Sequence, residues 1–455
     1  MNVGLGYLAL ANNTTGSFNA AIGYGALYSN TTGVDNVAIG DSNLVDNTTG
    51  SYNVALGAGS LINNTTGNDN IGIGWLSLGS NLTGSDNIAI GNGALENATN
   101  VSNAIAIGEE AYHNLLTSYD HAYPEYAGAT PSSGIAIGHQ AMYSAVLANG
   151  EIAIGDYALY SDATPNYSVA IGKFALGSQS GGYYNIAVGY SSLAKLTTGL
   201  SNAAFGSAGR GLTTGSFNSF FGQSAGISMT TGNGSTIIGA SAGSNSTTGS
   251  YNTITGFFAG YSLTTGSQNT ITGSSAGYSL TTGSYNTLQG QNAGYSLTTG
   301  PQNTLQGQNA GYSLTTASSN TISGSYAGYN ITTAVSNTIF GASSGYSLTT
   351  GNNNTILGPL SGSTLTTGYV NVFIGSSAGG YTQYSKWDGI TRNEYNSPVL
   401  TDATPNTGGH NIGIGYRTLS YNTTGHNNIA AGYEAMARRT WVIFNLCFSK
   451  LDSVL

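Results

Sequence analysis

A glycine closing a short apolar stretch recurs every 17 residues through most of this chain, at Gly6, Gly23, Gly40, Gly57, Gly74, Gly91 and Gly108, and then at Gly138, Gly155, Gly172, Gly189 and Gly206. After a one-residue slip to Gly222 the series runs Gly239, Gly256, Gly273, Gly290, Gly307, Gly324, Gly341, Gly358 and Gly375, and closes with Gly415 and Gly432, 24 copies in all. Such a period is too short for a strand–helix–strand unit or a propeller blade. It fits one coil of a parallel β-solenoid, in which like positions of successive coils lie above one another. A representative copy reads Asn36-Val37-Ala38-Ile39-Gly40, a variable stretch with Leu44, then Asn47-Thr48-Thr49-Gly50-Ser51-Tyr52 before the next asparagine. It predicts one strand of about four residues, a second short extended stretch, and a turn in which the Gly of Thr-Thr-Gly supplies a positive φ. At the usual strand spacing, 24 coils predict an all-β rod on the order of 110 Å long.

Large apolar side chains are few for such a length, with 69 Gly and only 39% hydrophobic residues in 455. Order must therefore come partly from polar ladders: the Asn before each strand and the Thr pair before each turn glycine are expected to stack as hydrogen-bonded columns. Two coil types are visible. Up to Gly206 the strand reads Val-Ala-Ile or Ile-Ala-Ile with Leu four residues after the glycine, as at Leu44 and Leu61; from about 239 to 358 it reads Thr-Ile-Thr or Thr-Leu-Gln, with Leu seven after, as at Leu263 and Leu280. Large and small residues exchange places together, as a close-packed interior of fixed volume demands. In the first type both faces of the strand are apolar, so one lines the coil and the other needs a cover. Three large aliphatics per coil are too few to order seventeen residues unaided, which predicts association with copies of the same chain along the Val-Ala-Ile strands.

The repeated Asn36-Val37-Ala38-Ile39-Gly40, with Gly134-Ile135-Ala136-Ile137-Gly138 and Ser168-Val169-Ala170-Ile171-Gly172, resembles the head repeats of trimeric autotransporter adhesins. Runs with Asn-Thr-Thr-Gly turns are also similar to repeats of phage and viral tail-fibre proteins. The resemblance implies a left-handed parallel β-roll, a homotrimer, an extracellular or virion location and a role in attachment; the choice of three chains rests on it. The adhesin repeat is somewhat shorter, and a counterpart of that family's signal peptide, heptad-rich stalk or membrane-anchor barrel is not expected from these residues. The expectation is accordingly a virion-type fibre released without a signal, or an excerpt of a longer chain.

The period breaks twice, where Gly108 to Gly138 spans 30 residues and Gly375 to Gly415 spans 40. This organisation gives coils over 1–108, an insertion-bearing coil over 109–134, coils over 135–375, a second insertion-bearing coil over 376–411, last coils over 412–437, and an apolar cap or junction over 438–455. Insertions in solenoids form surface loops, often the binding ones. Tyr112, Tyr119, Tyr123 and Tyr126 in the first, and Tyr381, Tyr384, Trp387, Arg392 and Tyr395 in the second, are candidate contacts for a surface glycan or a protein receptor, since aromatic platforms with polar rims suit either. They equally suit a role in decorating or stiffening the rod. Asn36, Val37, Ile39, Gly40, Thr48, Thr49 and Gly50 typify the structural repeat.

Other chemistries find less support. Asp120 with Glu125, or Asp388 with Glu394, would be the carboxylate pair of a polysaccharide-cleaving solenoid, but such enzymes build the groove on their coils, where carboxylates are nearly absent. His113 and His121 with Glu109, Glu110 and Asp120 match no metal-ligand spacing, so neither metal nor cofactor is expected. Ice binding requires a flat Thr-x-Thr face, which only Thr253/Thr255 and Thr270/Thr272 provide. With 9 Lys+Arg against 18 Asp+Glu there is no basic footprint for nucleic acid. The lone cysteine, Cys447, cannot form an internal disulfide, and no apolar run reaches the roughly 18 residues of a membrane-spanning helix.

Overall fold

A computed structural model describes residues 1–114, 134–145, 150–162, 167–380, 406–437 and 446–447. The chain divides into two compact units, Met1–Asn233 and Gly234–Leu455. Each is a parallel β-solenoid with one short strand per coil, and neither contains a helix among the described residues. The first unit carries the strands from β1 (Val3–Leu5) to β13 (Ser219–Phe221), the second those from β14 (Thr236–Ile238) to β25 (Leu446–Cys447).

Within the first unit β3 (Val37–Ile39) pairs in parallel with β4 (Val54–Leu56), setting Val37 against Val54, Ala38 against Ala55 and Ile39 against Leu56. The same register recurs from coil to coil. It passes across the first insertion, where β7 (Ile105–Ile107) meets β8 (Ile135–Ile137) with Ile105 opposite Ile135. In the second unit β22 (Val372–Ile374) meets β23 (Ile412–Ile414) with Val372 opposite Ile412. The register on the two sides of each insertion is therefore unchanged. The one-residue slip is absorbed likewise: Ala203 still faces Ser219, so the coil that begins at Gly206 is short in its turns and not in its strand.

Two local expectations are corrected. Every strand before β25 has three residues instead of four, and among the described residues the remainder of each coil is turns and bends with no second strand, apart from isolated bridges such as the parallel one between Leu365 and Asn406. The Gly of Thr-Thr-Gly does not take a positive φ. Gly50 is required for space, because a Cβ there would fall inside contact distance of Asn47 Oδ1 and the Gly67 carbonyl. The left-handed conformations belong elsewhere: the marker glycine, with φ 134° at Gly40, and side-chain-bearing residues such as Ser42, Leu44 and Tyr52 at φ 55°, 50° and 60°. A Cβ on Gly40 would also drive into the Gly57 carbonyl of the next coil.

Inside the coil, the exchange of volumes has a steric cause. In the first type the strand centre is small and the residue four after the glycine is large; Ala38 and Leu44 are both wholly buried. In the second the centre is large, as at Ile271 and Leu288, and the later position is Gly277, where a Cβ would stand 2.7 Å from Leu288 Cδ1. The exchange begins at the short coil of the first unit. There Gly209 lies between Leu193 and Phe220, and a Cβ on it would be 2.8 Å from a carbon of each.

Polar columns complete the interior. Asn53 donates through Nδ2 to Asn36 Oδ1 at 3.1 Å and to the Gly67 carbonyl at 2.9 Å, while its backbone N–H donates to the same Asn36 oxygen at 3.0 Å. Asn36, Asn53 and Asn70 are buried with both amide groups hydrogen-bonded, which is the condition for a polar group to stabilise a dry interior. The threonine columns bond differently, side chain to backbone, as Thr48 Oγ1 donates to the Thr65 carbonyl at 3.1 Å. A second asparagine column, Asn30, Asn47, Asn64 and Asn81, was not anticipated; Asn47 Nδ2 donates to Asn30 Oδ1 at 2.9 Å. In the second unit leucines such as Leu263 and Leu280 occupy the equivalent place.

Candidate functional site

The alternation of a three-residue strand puts its centre inward and its ends outward. In the first unit those ends are largely apolar, and Ile39, Ile171 and Phe205 remain 41%, 37% and 37% exposed. In the second unit the first position is a run of threonines, Thr236, Thr253, Thr270, Thr287, Thr304, Thr321, Thr338 and Thr355. The third position there changes from Thr255 and Thr272 to Gln289, Gln306 and Ser323, so a paired threonine face lasts only two coils.

Of the aromatic residues expected to face a receptor, Tyr112 is corrected to a core position. It stands four residues after Gly108, where other coils carry Leu95 or Met142, and is wholly buried. Its ring fills the space that an asparagine occupies elsewhere, leaving room only for glycine at 134, where a Cβ would be 2.7 Å from the tyrosine oxygen. Its hydroxyl has no hydrogen-bond partner among the described residues, and burial, reinforced by Glu151, pushes the phenol well above its ordinary pKa. Tyr119, Tyr123, Tyr126, Tyr381, Tyr384, Trp387, Arg392 and Tyr395 lie outside the described residues, as do Asp120, His121, Glu125, Asp388 and Glu394. His113 faces Glu96 at 3.5 Å and stacks on Tyr143, while Glu109 faces His139 and Glu110 accepts from Gln140; these side chains turn to different neighbours. Among the described residues no group of three potential metal ligands converges.

Aromatic side chains instead form columns on the coils. In the first unit the position five residues after the marker glycine carries His113, Tyr143 and Tyr160, with centroids 5.3 Å and 5.4 Å apart and planes nearly parallel. Beside it Tyr157 stacks on Phe174 at 5.2 Å, and Tyr190 meets Phe174 edge-on at 6.4 Å. The first column stops where the next coils place Gly177 and Ala194 at the same position. The next coil is the short one and brings Arg210 there: the backbone N–H of Leu193 bonds the Ala208 carbonyl, as that of Leu176 bonds Ser192, which aligns Arg210 with Ala194. The interruption opens a cleft of about 520 Å3 walled by Tyr157, Tyr160, Phe174 and Tyr190 and edged by Lys195 and Arg210.

Charge converges on the same place. Lys173, Lys195 and Arg210 are the only Lys or Arg in the first 385 residues. The Lys173 ammonium lies 5.3 Å from the Phe174 ring centre and 3.7 Å from Asp156. Lys195 and Arg210 are exposed and make no ion pair among the described residues. In the sequence this cleft is signalled only by the scarcity of basic residues, since its walls come from four separate coils.

The second unit has one long aromatic column, Tyr261, Tyr278, Tyr295, Tyr312, Tyr329 and Tyr346, with centroids 5.1–5.3 Å apart. Burial, with neighbouring phenols as a smaller cause, raises the pKa of Tyr329 and Tyr346. No helix among the described residues is long and apolar enough to cross a membrane. No family model, curated protein or solved structure matches the chain.

Proposed function

We propose that this chain is the shaft of a non-enzymatic attachment fibre, a homotrimer joined along the apolar strand face of its first unit, carried outside the cell or on a virion and directed at a surface glycan or protein receptor. The observation that carries this reading is the contrast between the two sides of those strands. Inside, residues such as Ala38 and Leu44 are wholly buried beside asparagines such as Asn36 and Asn53; outside, a continuous file of Ile, Leu, Val and Phe is left partly in water. A stripe of that kind on a rigid repeat is a surface for association, and parallel copies of one chain present matching stripes at a matching period. The resemblance to adhesin and tail-fibre repeats supplies the count of three.

Light scattering and negative-stain microscopy of the purified protein test the proposal. A trimer that an Ile39→Asp/Ile171→Asp variant converts to monomer, with its β-type circular dichroism intact, and that is retained saturably on target cells, is the expected result. A wild-type protein that stays monomeric across concentration with its Val-Ala-Ile stripe in solvent overturns it.

A further inference from the structure

We propose that the cleft over Gly177 and Ala194 in the first unit is a subsite for an acidic saccharide chain, an inference that rests on the attachment reading and specifies its ligand. Three features combine. The first is space made by sequence: an aromatic column at one position of the coil ends at Tyr160, two coils contribute only Gly177 and Ala194, and the column resumes with Arg210. Three coil spacings separate Tyr160 from Arg210, about 14 Å, and the volume of about 520 Å3 falls within the range of small-ligand sites.

The second feature is chemistry matched to a sugar ring. Phe174 with Tyr157 and Tyr190 presents both faces and edges of aromatic rings, on which the C–H face of a pyranose packs while its hydroxyls stay hydrated. Tyr190 is 56% exposed, which is ready for a ligand and needless for the core. The third is charge. Lys173 is engaged by Asp156 at 3.7 Å, whereas Lys195 and Arg210 have no acidic partner among the described residues and stand together at the edge of the cleft. In a chain of net charge −9 with nine basic residues, two uncompensated cations beside an aromatic wall favour an anion there, and a guanidinium is suited to a carboxylate or a sulfate. An aromatic wall alone would accept a neutral glycan, and two cations alone any acid; their combination selects a sugar that carries negative charge.

Titration calorimetry on the full chain decides the matter, with four probes of similar length: tetragalacturonate, a heparin-derived tetrasaccharide, cellotetraose and tetraglutamate. The expected result is binding of at least one acidic saccharide at least tenfold tighter than the neutral one and than tetraglutamate. That affinity should weaken with added salt and drop at least tenfold in Lys195→Gln/Arg210→Gln and in Tyr190→Ala, with unchanged melting temperature. The first two probes separate a carboxylated from a sulfated ligand. Equal or tighter binding of cellotetraose, of tetraglutamate, or of neither acidic saccharide at millimolar concentration overturns the inference, as does undiminished affinity in the double variant. Trimer formation and cell retention are scored separately, so a fibre that adheres without binding these sugars defeats this inference alone, and a sugar-binding monomer defeats the fibre reading.

Discussion

Asn286 sits in the middle of the principal amide column of the second unit, and replacing it by alanine, serine and aspartate measures what the column contributes. The residue is buried. Its Nδ2 donates to Asn269 Oδ1 at 3.2 Å and to the Gly300 carbonyl at 3.0 Å, and its Oδ1 accepts the backbone N–H of Asn303 at 2.9 Å and the Asn303 Nδ2 at 3.2 Å. Alanine removes all four bonds, but two partners are protected: Asn269 Oδ1 keeps the backbone N–H of Asn286, and Asn303 Nδ2 keeps the Pro301 and Ala317 carbonyls. The Asn303 N–H and the Gly300 carbonyl lose their partner. A buried group so stranded costs about 1–3 kcal/mol, so the alanine variant should lose about 4 kcal/mol of local stability.

Serine has precedents in this chain: Ser235 Oγ accepts the Asn252 N–H at 3.2 Å and Ser168 Oγ accepts the Asn185 N–H at 3.3 Å. Asn286→Ser should therefore keep one of the two stranded groups satisfied and lose about half as much. Aspartate keeps one acceptor but turns a second, charged oxygen toward the Asn269 oxygen and the Gly300 carbonyl, so at neutral pH it should be worse than alanine and recover on acidification, when a protonated carboxyl can donate. Because stacked repeats unfold segment by segment, the suitable assay is amide hydrogen exchange around residues 303–305, with the melting temperature as a global check. An alanine variant within about 0.5 kcal/mol of wild type, or an aspartate variant more protected than alanine at neutral pH, would refute the argument that the amides hold the coils together.

Two further outcomes follow from the buried phenols. Tyr112→Phe removes a hydroxyl that has no partner among the described residues and leaves the ring in place, so the first unit should gain about 1 kcal/mol, seen as a higher melting temperature; a loss would mean that the hydroxyl is bonded in solution. Tyr329 and Tyr346 ionise above the ordinary tyrosine value of about 10 because they are partly buried. The stability they contribute is thus complete below that pH and is lost as pH rises through their folded-state values, and phenolate absorbance should lag free tyrosine and shift earlier on unfolding; ionisation coincident with free tyrosine in the folded protein contradicts this.

The period, the strand before each marker glycine and the shift of leucine from Leu44 to the position of Leu263 were legible because each recurs from coil to coil, and in a stack like positions lie above one another. What escaped depended on which atom faces which. Asn47 reads as part of a turn motif, yet its amide points into the coil and builds a second column. Gly50 reads as a conformational hinge, but it is glycine because a neighbouring carbonyl occupies the place of a side chain. Tyr112 reads as one of a surface cluster of aromatics, and only the glycine at 134, 22 residues later in sequence, reveals that its ring is inside. The aromatic and basic cleft was hidden for a related reason: Tyr160, Gly177, Ala194 and Arg210 are unremarkable in order along the chain and become a site only when the coils are laid one on another, with the short coil allowed for.

The asparagine-to-asparagine bonds of the two columns point one way along the chain: Asn53 donates to Asn36 and accepts from Asn70, and Asn47 donates to Asn30 and accepts from Asn64. A block of 17 residues removed or duplicated within a run of like coils, such as those that carry Asn36, Asn53 and Asn70, rejoins donors to acceptors in register. Within such a run, length is therefore quantised in steps of one coil.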